Sequence, residues 1–173
     1  TNIKERLRII HIISGDRWAG AEVQVFTLLK ELSKNHDVFA IVLNQGELTH
    51  RLKKLDVPVT IYDETQVSPW KIFIGICRTL KSLKPDIIHT HRQKENILTS
   101  IANQLTIRAK CIRTVHGDSE FIPTGIAKLQ SILDKFCGCY LQQAIIAVSE
   151  DLRQKLMEKF PTNKIVTVVN GID

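Results

Sequence analysis

Residues 7–33 read LRIIHIISGDRWAGAEVQVFTLLKELS: an apolar, β-branched run, a glycine-bearing loop and a segment with helical spacing in direct succession. Leu7 to Ile13 has the composition of a strand buried on both faces, and it ends at Ser14-Gly15. After the loop, Val25, Phe26, Leu29 and Leu32 recur at three-to-four-residue intervals within Ala21 to Ser33, which gives one buried helix face, with Asn35 as terminator. A strand that feeds a helix through a short loop is the opening unit of a parallel sheet.

The alternation continues outward from this unit. Asp37 to Leu43 reads as a second strand, followed by a short basic helix over Leu48 to Leu55 and a third strand at Val57 to Tyr62. Ser68-Pro69 has the form of an N-cap with proline at the first helical position, opening a helix that closes near Lys84-Pro85. The next strand is Asp86 to Thr90. Ile97, Leu98, Ile101 and Leu105 mark a helix, Lys110 to Val115 a strand, and Ile126 to Leu141 a long helix with Leu129, Leu133, Phe136 and Tyr140 on one side. Ala144 to Val148 and Ile165 to Val169 are the last strands, with Ser149 capping the helix between them. The fold class is α/β, a Rossmann-like, doubly wound, mainly parallel sheet of about seven strands, and nothing marks an internal boundary.

The chain has 173 residues, 43% of them hydrophobic, which suits one core. Charges interrupt every apolar run before the roughly 18 residues a membrane-spanning helix needs. Thr1 to Arg8 is charged and lacks the apolar segment of a secretory signal, so the expected location is cytoplasmic. Cys77, Cys111, Cys137 and Cys139 lack paired metal-ligand spacing and read as buried free thiols; no metal and no cofactor are expected. The formal charge of +6 suits an anionic ligand or an anionic membrane surface. Nucleic acid is disfavoured, because only 6% of residues are aromatic and none interleave with a basic run.

In a doubly wound sheet, ligands bind at the carboxyl ends of the strands. The loops there are Ser14 to Gly20, His89 to Lys94, His116 to Pro123 and Ser149-Glu150. The first leads into a helix whose free N–H groups can hold an anion. It lacks the G-x-G-x-x-G of dinucleotide enzymes, since Gly15 and Gly20 stand too far apart. His89 and His91 project to the same side if the strand persists. They are either a pair sharing a ligand or one packed and one loop imidazole, and no third ligand stands at a metal spacing. Arg92 and Lys94 face either an anionic acceptor or solvent. His116-Gly117 ends another strand, where the ring either meets a hydroxyl-rich ligand or bonds neighbouring backbone. Asp118 and Glu120 are a candidate base or solvated loop charges. The helix Trp70 to Leu83 carries both an apolar face and Lys71, Arg78, Lys81 and Lys84, and so either covers the core or rests on anionic lipid.

Taken together, Ala19-Gly20-Ala21-Glu22, Asp86-Ile87-Ile88-His89-Thr90-His91, Thr114-Val115-His116-Gly117, Ala147-Val148-Ser149-Glu150 and Val169-Asn170-Gly171-Ile172-Asp173 resemble family 4 retaining glycosyltransferases of the GT-B fold. The resemblance spans nearly the whole chain. It implies an N-terminal acceptor-side domain over residues 1–169, the start of an interdomain linker at 170–173, and a donor-binding domain outside this sequence. The implied reaction moves a hexose from a nucleotide sugar to a saccharide or lipid-linked acceptor, with no turnover by this half alone. It implies further that Gly20 and Ala19 lie against the donor diphosphate and sugar, Ala19 standing where the family often has another glycine. His116 matches the histidine at the transfer centre, Trp18, His91 and Arg92 fall on the acceptor side, and Glu22, Ser149 and Glu150 complete the motifs. The alternatives are a GT-B-like nucleotide-sugar epimerase half and a non-catalytic α/β ligand-binding module.

Overall fold

In the computed structural model, which describes residues 6–117 and 125–169, the isoleucine-rich run becomes β1 (Arg8–Ile13) and the periodic segment after it α1 (Gly20–Leu32). The chain continues through β2 (Asp37–Val42), α2 (Glu47–Lys54), β3 (Val59–Ile61), α3 (Pro69–Leu83), β4 (Ile87–Thr90), α4 (Gln93–Leu105) and β5 (Lys110–Val115). Then follow α5 (Ile126–Phe136), a π turn (Cys137–Leu141), β6 (Ala144–Ala147), α6 (Glu150–Met157) and β7 (Ile165–Thr167). Asp118, Glu120 and Asn170 to Asp173 lie outside the described residues.

All seven strands are parallel, in the order β3-β2-β1-β4-β5-β6-β7. The order reverses beside β1, which pairs with β2 on one edge (Ile9 with Val38) and β4 on the other (Ile9 with Ile87). A crevice opens at such a reversal, at the carboxyl ends of β1 and β4. Residues 9–13 of β1 are all buried because helices cover both faces, which is why the strand does not alternate in polarity.

On one face, Ile13, Val38, Ala40 and Val42 pack against Val25 and Leu29 of α1 and Leu48 and Leu52 of α2. On the other, Ile10, Ile12, Ile41 and Ile88 pack against Ile72, Ile76 and Leu80 of α3 and Ala102 of α4. The apolar face of α3 is therefore committed to the core, although Trp70 at its first turn stays exposed. A third cluster joins Val115, Ile145, Ala147 and Ile165 to Leu152 and Leu156 of α6.

Four details differ from the sequence reading. Ser68 has the extended backbone of an N-cap, but its side chain makes no capping bond. Leu105 is exposed at the end of α4. Cys111 and Cys137 are buried free thiols, whereas Cys77 and Cys139 are only half-buried. The largest difference concerns α5. Its Leu129, Phe136 and Tyr140 face water, while Asp134, Cys137 and Gly138 face inward. Asp134 Oδ1 accepts from Arg113 Nη1 of β5 at 2.5 Å and from Asn96 Nδ2 of α4 at 3.0 Å. Asn96 Oδ1 in turn accepts from Thr90 and Gln142. A buried carboxylate must keep its partners, and this one fixes which side of α5 turns in.

Candidate active site

The crevice is built from the loops after β1, β2, β3, β4 and β5. Gly15 has φ +71°, and a Cβ there would stand 2.5 Å from Val42 Cγ1, so the first loop needs glycine on both counts. Asn44 ties three loops together, its Nδ2 donating to Ser14 O at 3.2 Å and to Glu64 Oε1 at 2.9 Å. Lys94 donates to Glu64, which answers the open question about that lysine with an ion pair.

Ala19 is the N-cap of α1 and makes no side-chain capping bond, so the first-turn N–H groups have no acceptor from the cap residue. A Cβ on Gly20 would meet no atom within 4 Å. Gly15 is thus demanded by the fold, whereas the space beside Gly20 is open. Trp18, exposed in the same loop, meets Phe26 edge-on at 6.1 Å and lies under the Arg51 guanidinium at 4.4 Å.

Arg92 closes one side. Its Nη2 donates to Glu22 Oε1 at 2.5 Å and its Nη1 to Asp16 Oδ1 at 3.2 Å. It thereby ties the turn after β4 to the start of α1. Glu22 is buried, so this guanidinium is what keeps its charge tolerable.

Behind Arg92 four histidines cluster, and three of them form a file. His11 of β1 lies beside His89 of β4 in register, and both point to the α1 side. His91 stacks on His89 with ring centroids 4.4 Å apart, confirming that the two project to one side. His11 Nδ1 is 3.1 Å from His91 Nε2, His91 Nδ1 is 3.2 Å from His116 Nε2, and His116 Nδ1 is 3.0 Å from Gln24 Oε1 on α1. With Gln24 Oε1 as acceptor, the tautomers are fixed in sequence. His116 Nδ1–H donates to Gln24, His91 Nδ1–H to His116, and His11 Nδ1–H to His91. His11 Nε2 is left buried without a partner. His89 stands beside the file and bonds Thr114 Oγ1 at 2.8 Å.

Burial keeps all four rings neutral. It holds His89 at about 3, with His116 adding to the effect, and His116 at about 4, with Arg92 and Arg113 adding. Burial, together with neighbouring imidazoles, holds His11 and His91 well below the ordinary range.

His11 is the third imidazole that spacing alone did not reveal. The ligand nitrogens of His11, His89 and His91 lie within 4.8 Å of one another. An ion among them would displace the His11–His91 bond. Gln24 was likewise missed, since on α1 it looks like any polar surface position.

The structure therefore gathers Gly20, Glu22, His91, Arg92 and His116 around the start of α1. Among the described residues, His116 bonds the side chains of His91 and Gln24 rather than neighbouring backbone. Ser149 and Glu150 serve α6: Ser149 Oγ accepts from Leu152 N at 3.2 Å, and Glu150 accepts from Gln154 at 3.0 Å and Thr167 at 3.4 Å.

Residues 18–173 match the model of Glycosyltransferase Family 4. A UDP-Gal:alpha-D-GlcNAc-diphosphoundecaprenol alpha-1,3-galactosyltransferase of Escherichia coli is 27% identical over 97% of this chain and 46% of its own length. Anabaena HepE in complex with UDP-glucose superposes with a TM-score of 0.80 at 16% identity, over 97% of this chain and 45% of that one. A UDP-N-acetylglucosamine 2-epimerase of Rickettsia bellii superposes at 0.69 and 13% identity, over 94% of this chain and 44% of that one. The chain thus spans under half the length of these relatives, and its fold matches one half of GT-B structures. A UDP-N-acetylglucosamine 2-epimerase shares the fold, so the family assignment rests on the match to the family model.

Proposed function

This chain belongs to glycosyltransferase family 4, and on that premise we propose that it is the acceptor-side half of an enzyme that transfers a hexose from a nucleotide sugar, with retention, to a saccharide or lipid-linked acceptor. The observation that carries the reading is the convergence, at the reversal of strand order, of an α1 N-terminus free of a side-chain cap, an open Gly20 and the His116–Arg92 wall. Charge grows on the departing nucleoside diphosphate as the glycosidic bond breaks. Preoriented N–H donors at the positive end of a helix stabilise that charge.

In this reading Gly20 and Ala19 lie along the donor diphosphate, and His116 offers its neutral ring to the donor hexose. It does so by exchanging its bond to Gln24 or His91 for one to a sugar hydroxyl. Trp18, His91 and Arg92 line the acceptor side. Arg92 also holds the Glu22 carboxylate away from the diphosphate. The donor half lies beyond residue 169. The E. coli relative is named for a UDP-sugar and a diphosphoundecaprenol-linked acceptor, which supports a nucleotide sugar and a lipid-linked acceptor here. A lipid-linked acceptor brings the reaction to a membrane surface, in this reading its inner face.

The test compares the complete reading frame that contains this sequence with the 173-residue chain alone. The readout is transfer of radiolabelled hexose from a panel of nucleotide sugars to saccharide and polyprenyl-linked acceptors. We expect transfer by the complete protein, a loss on the order of 100-fold in His116→Ala, and none by the chain alone. Robust transfer by the chain alone, or wild-type rates in His116→Ala, would overturn the reading.

A further inference from the structure

Ile126, Leu129, Ile132, Phe136 and Tyr140 follow one another at intervals of three or four residues and so occupy one side of α5 and its π turn. All are half or more exposed, from 50% for Phe136 to 79% for Ile126. Five large apolar groups in one stripe exceed what scattered surface residues explain. The helix is also inside out relative to a helix that merely covers a sheet: its carboxylate, Asp134, points inward to Arg113 while its apolar stripe points outward.

We propose that this stripe is a membrane-docking face that lays the domain on an anionic bilayer. Lys128 and Lys135 are exposed and fall together along one border of the stripe, placed to meet acidic headgroups as the apolar side chains enter the interface. Phe136 and Tyr140 lie ring to ring, 5.2 Å apart, at the far end, where aromatic groups favour the headgroup layer. A bilayer fits better than a second copy, because a symmetric pairing of the stripe would bring its lysine border against its like. The helix follows β5, which ends beside His116, so its first turn lies at the carboxyl edge where the crevice opens. Resting on the reading of a lipid-linked acceptor, this places a membrane-anchored acceptor beside the residues that would receive its sugar.

The test uses the complete protein and sedimentation with vesicles of phosphatidylcholine alone or with 30% phosphatidylglycerol, at low and high salt. Leu129→Gln/Ile132→Gln/Phe136→Gln alters only exposed positions, and circular dichroism checks its fold. We expect binding to the anionic vesicles that weakens with salt. The bound fraction should fall about tenfold in the triple variant, and Lys128→Glu/Lys135→Glu should lose the salt dependence. Transfer to a short-chain soluble acceptor should be unchanged in the triple variant. Equal sedimentation of variant and wild type overturns the proposal, as does absence of binding to anionic vesicles, or a dimer in light scattering that the triple variant dissolves. Failure of the transferase reading looks different: no sugar transfer to any acceptor, with vesicle binding intact.

Discussion

Lowering the pH from 7 to 5 should destabilise the chain through its histidine file. The folded state holds His89 at about 3 and His116 at about 4, against 6.5 for an ordinary imidazole. Both are depressed, so below pH 6.5 the unfolded chain binds protons that the folded chain refuses. Stability is then fully present above about 6.5 and is lost as pH falls toward the folded values. At pH 5 an imidazole titrating at 6.5 when unfolded and neutral when folded costs about 2 kcal/mol. His89 and His116 together cost about 4 kcal/mol, a large part of the roughly 5–15 kcal/mol a domain has. His11 and His91 shift in the same direction and add to the loss. Urea unfolding followed by circular dichroism at pH 7 and pH 5 measures the difference. His89→Gln keeps an amide donor for Thr114 and removes one titrating ring, so its pH-dependent loss should shrink by about 2 kcal/mol. Unchanged stability at pH 5, or the same loss in wild type and His89→Gln, would refute the reasoning.

Two further substitutions separate fold from function. Gly20→Ala adds a methyl into open space at a helix start, so melting should stay within a degree or rise slightly; if the donor diphosphate packs there, KM for the nucleotide sugar in the complete protein should rise about tenfold, roughly 1.4 kcal/mol. Arg113→Met leaves the buried Asp134 without its guanidinium and should cost about 3–5 kcal/mol in denaturant unfolding, with Arg113→Met/Asp134→Leu recovering most of it.

The elements were legible because strand and helix periods are local and their borders carry proline, glycine and serine. The site was legible only in part. His11 sits inside an isoleucine run, and nothing in that run says that a strand some 80 residues away will place His89 beside it. That adjacency follows from strand order, which is a property of the whole sheet. Gln24 was hidden for the same reason, since its partner His116 lies at the end of β5. With α5 the period was found and its direction misjudged. An apolar stripe is ordinarily the buried one, but the Arg113–Asp134 pair orients the helix by its charge. The motif around Gly20 was visible, while the different jobs of Gly15 and Gly20 needed the backbone.

The all-parallel sheet has a consequence for how the chain is made. Ile9 must find Val38, 29 residues on, and Ile87, 78 residues on, and no hairpin offers a shorter route. Contacts of such separation slow folding, so milliseconds to seconds are expected once the chain is complete. During synthesis at about 5–20 residues per second, the second edge of β1 waits roughly 4–16 s for β4 to emerge. The first strand made is therefore half of a late seam, and the histidine file crosses that seam. Imidazoles in a chain arrested before it closes would still titrate near their ordinary value, which makes their protonation a clock for the joining of β1 to β4.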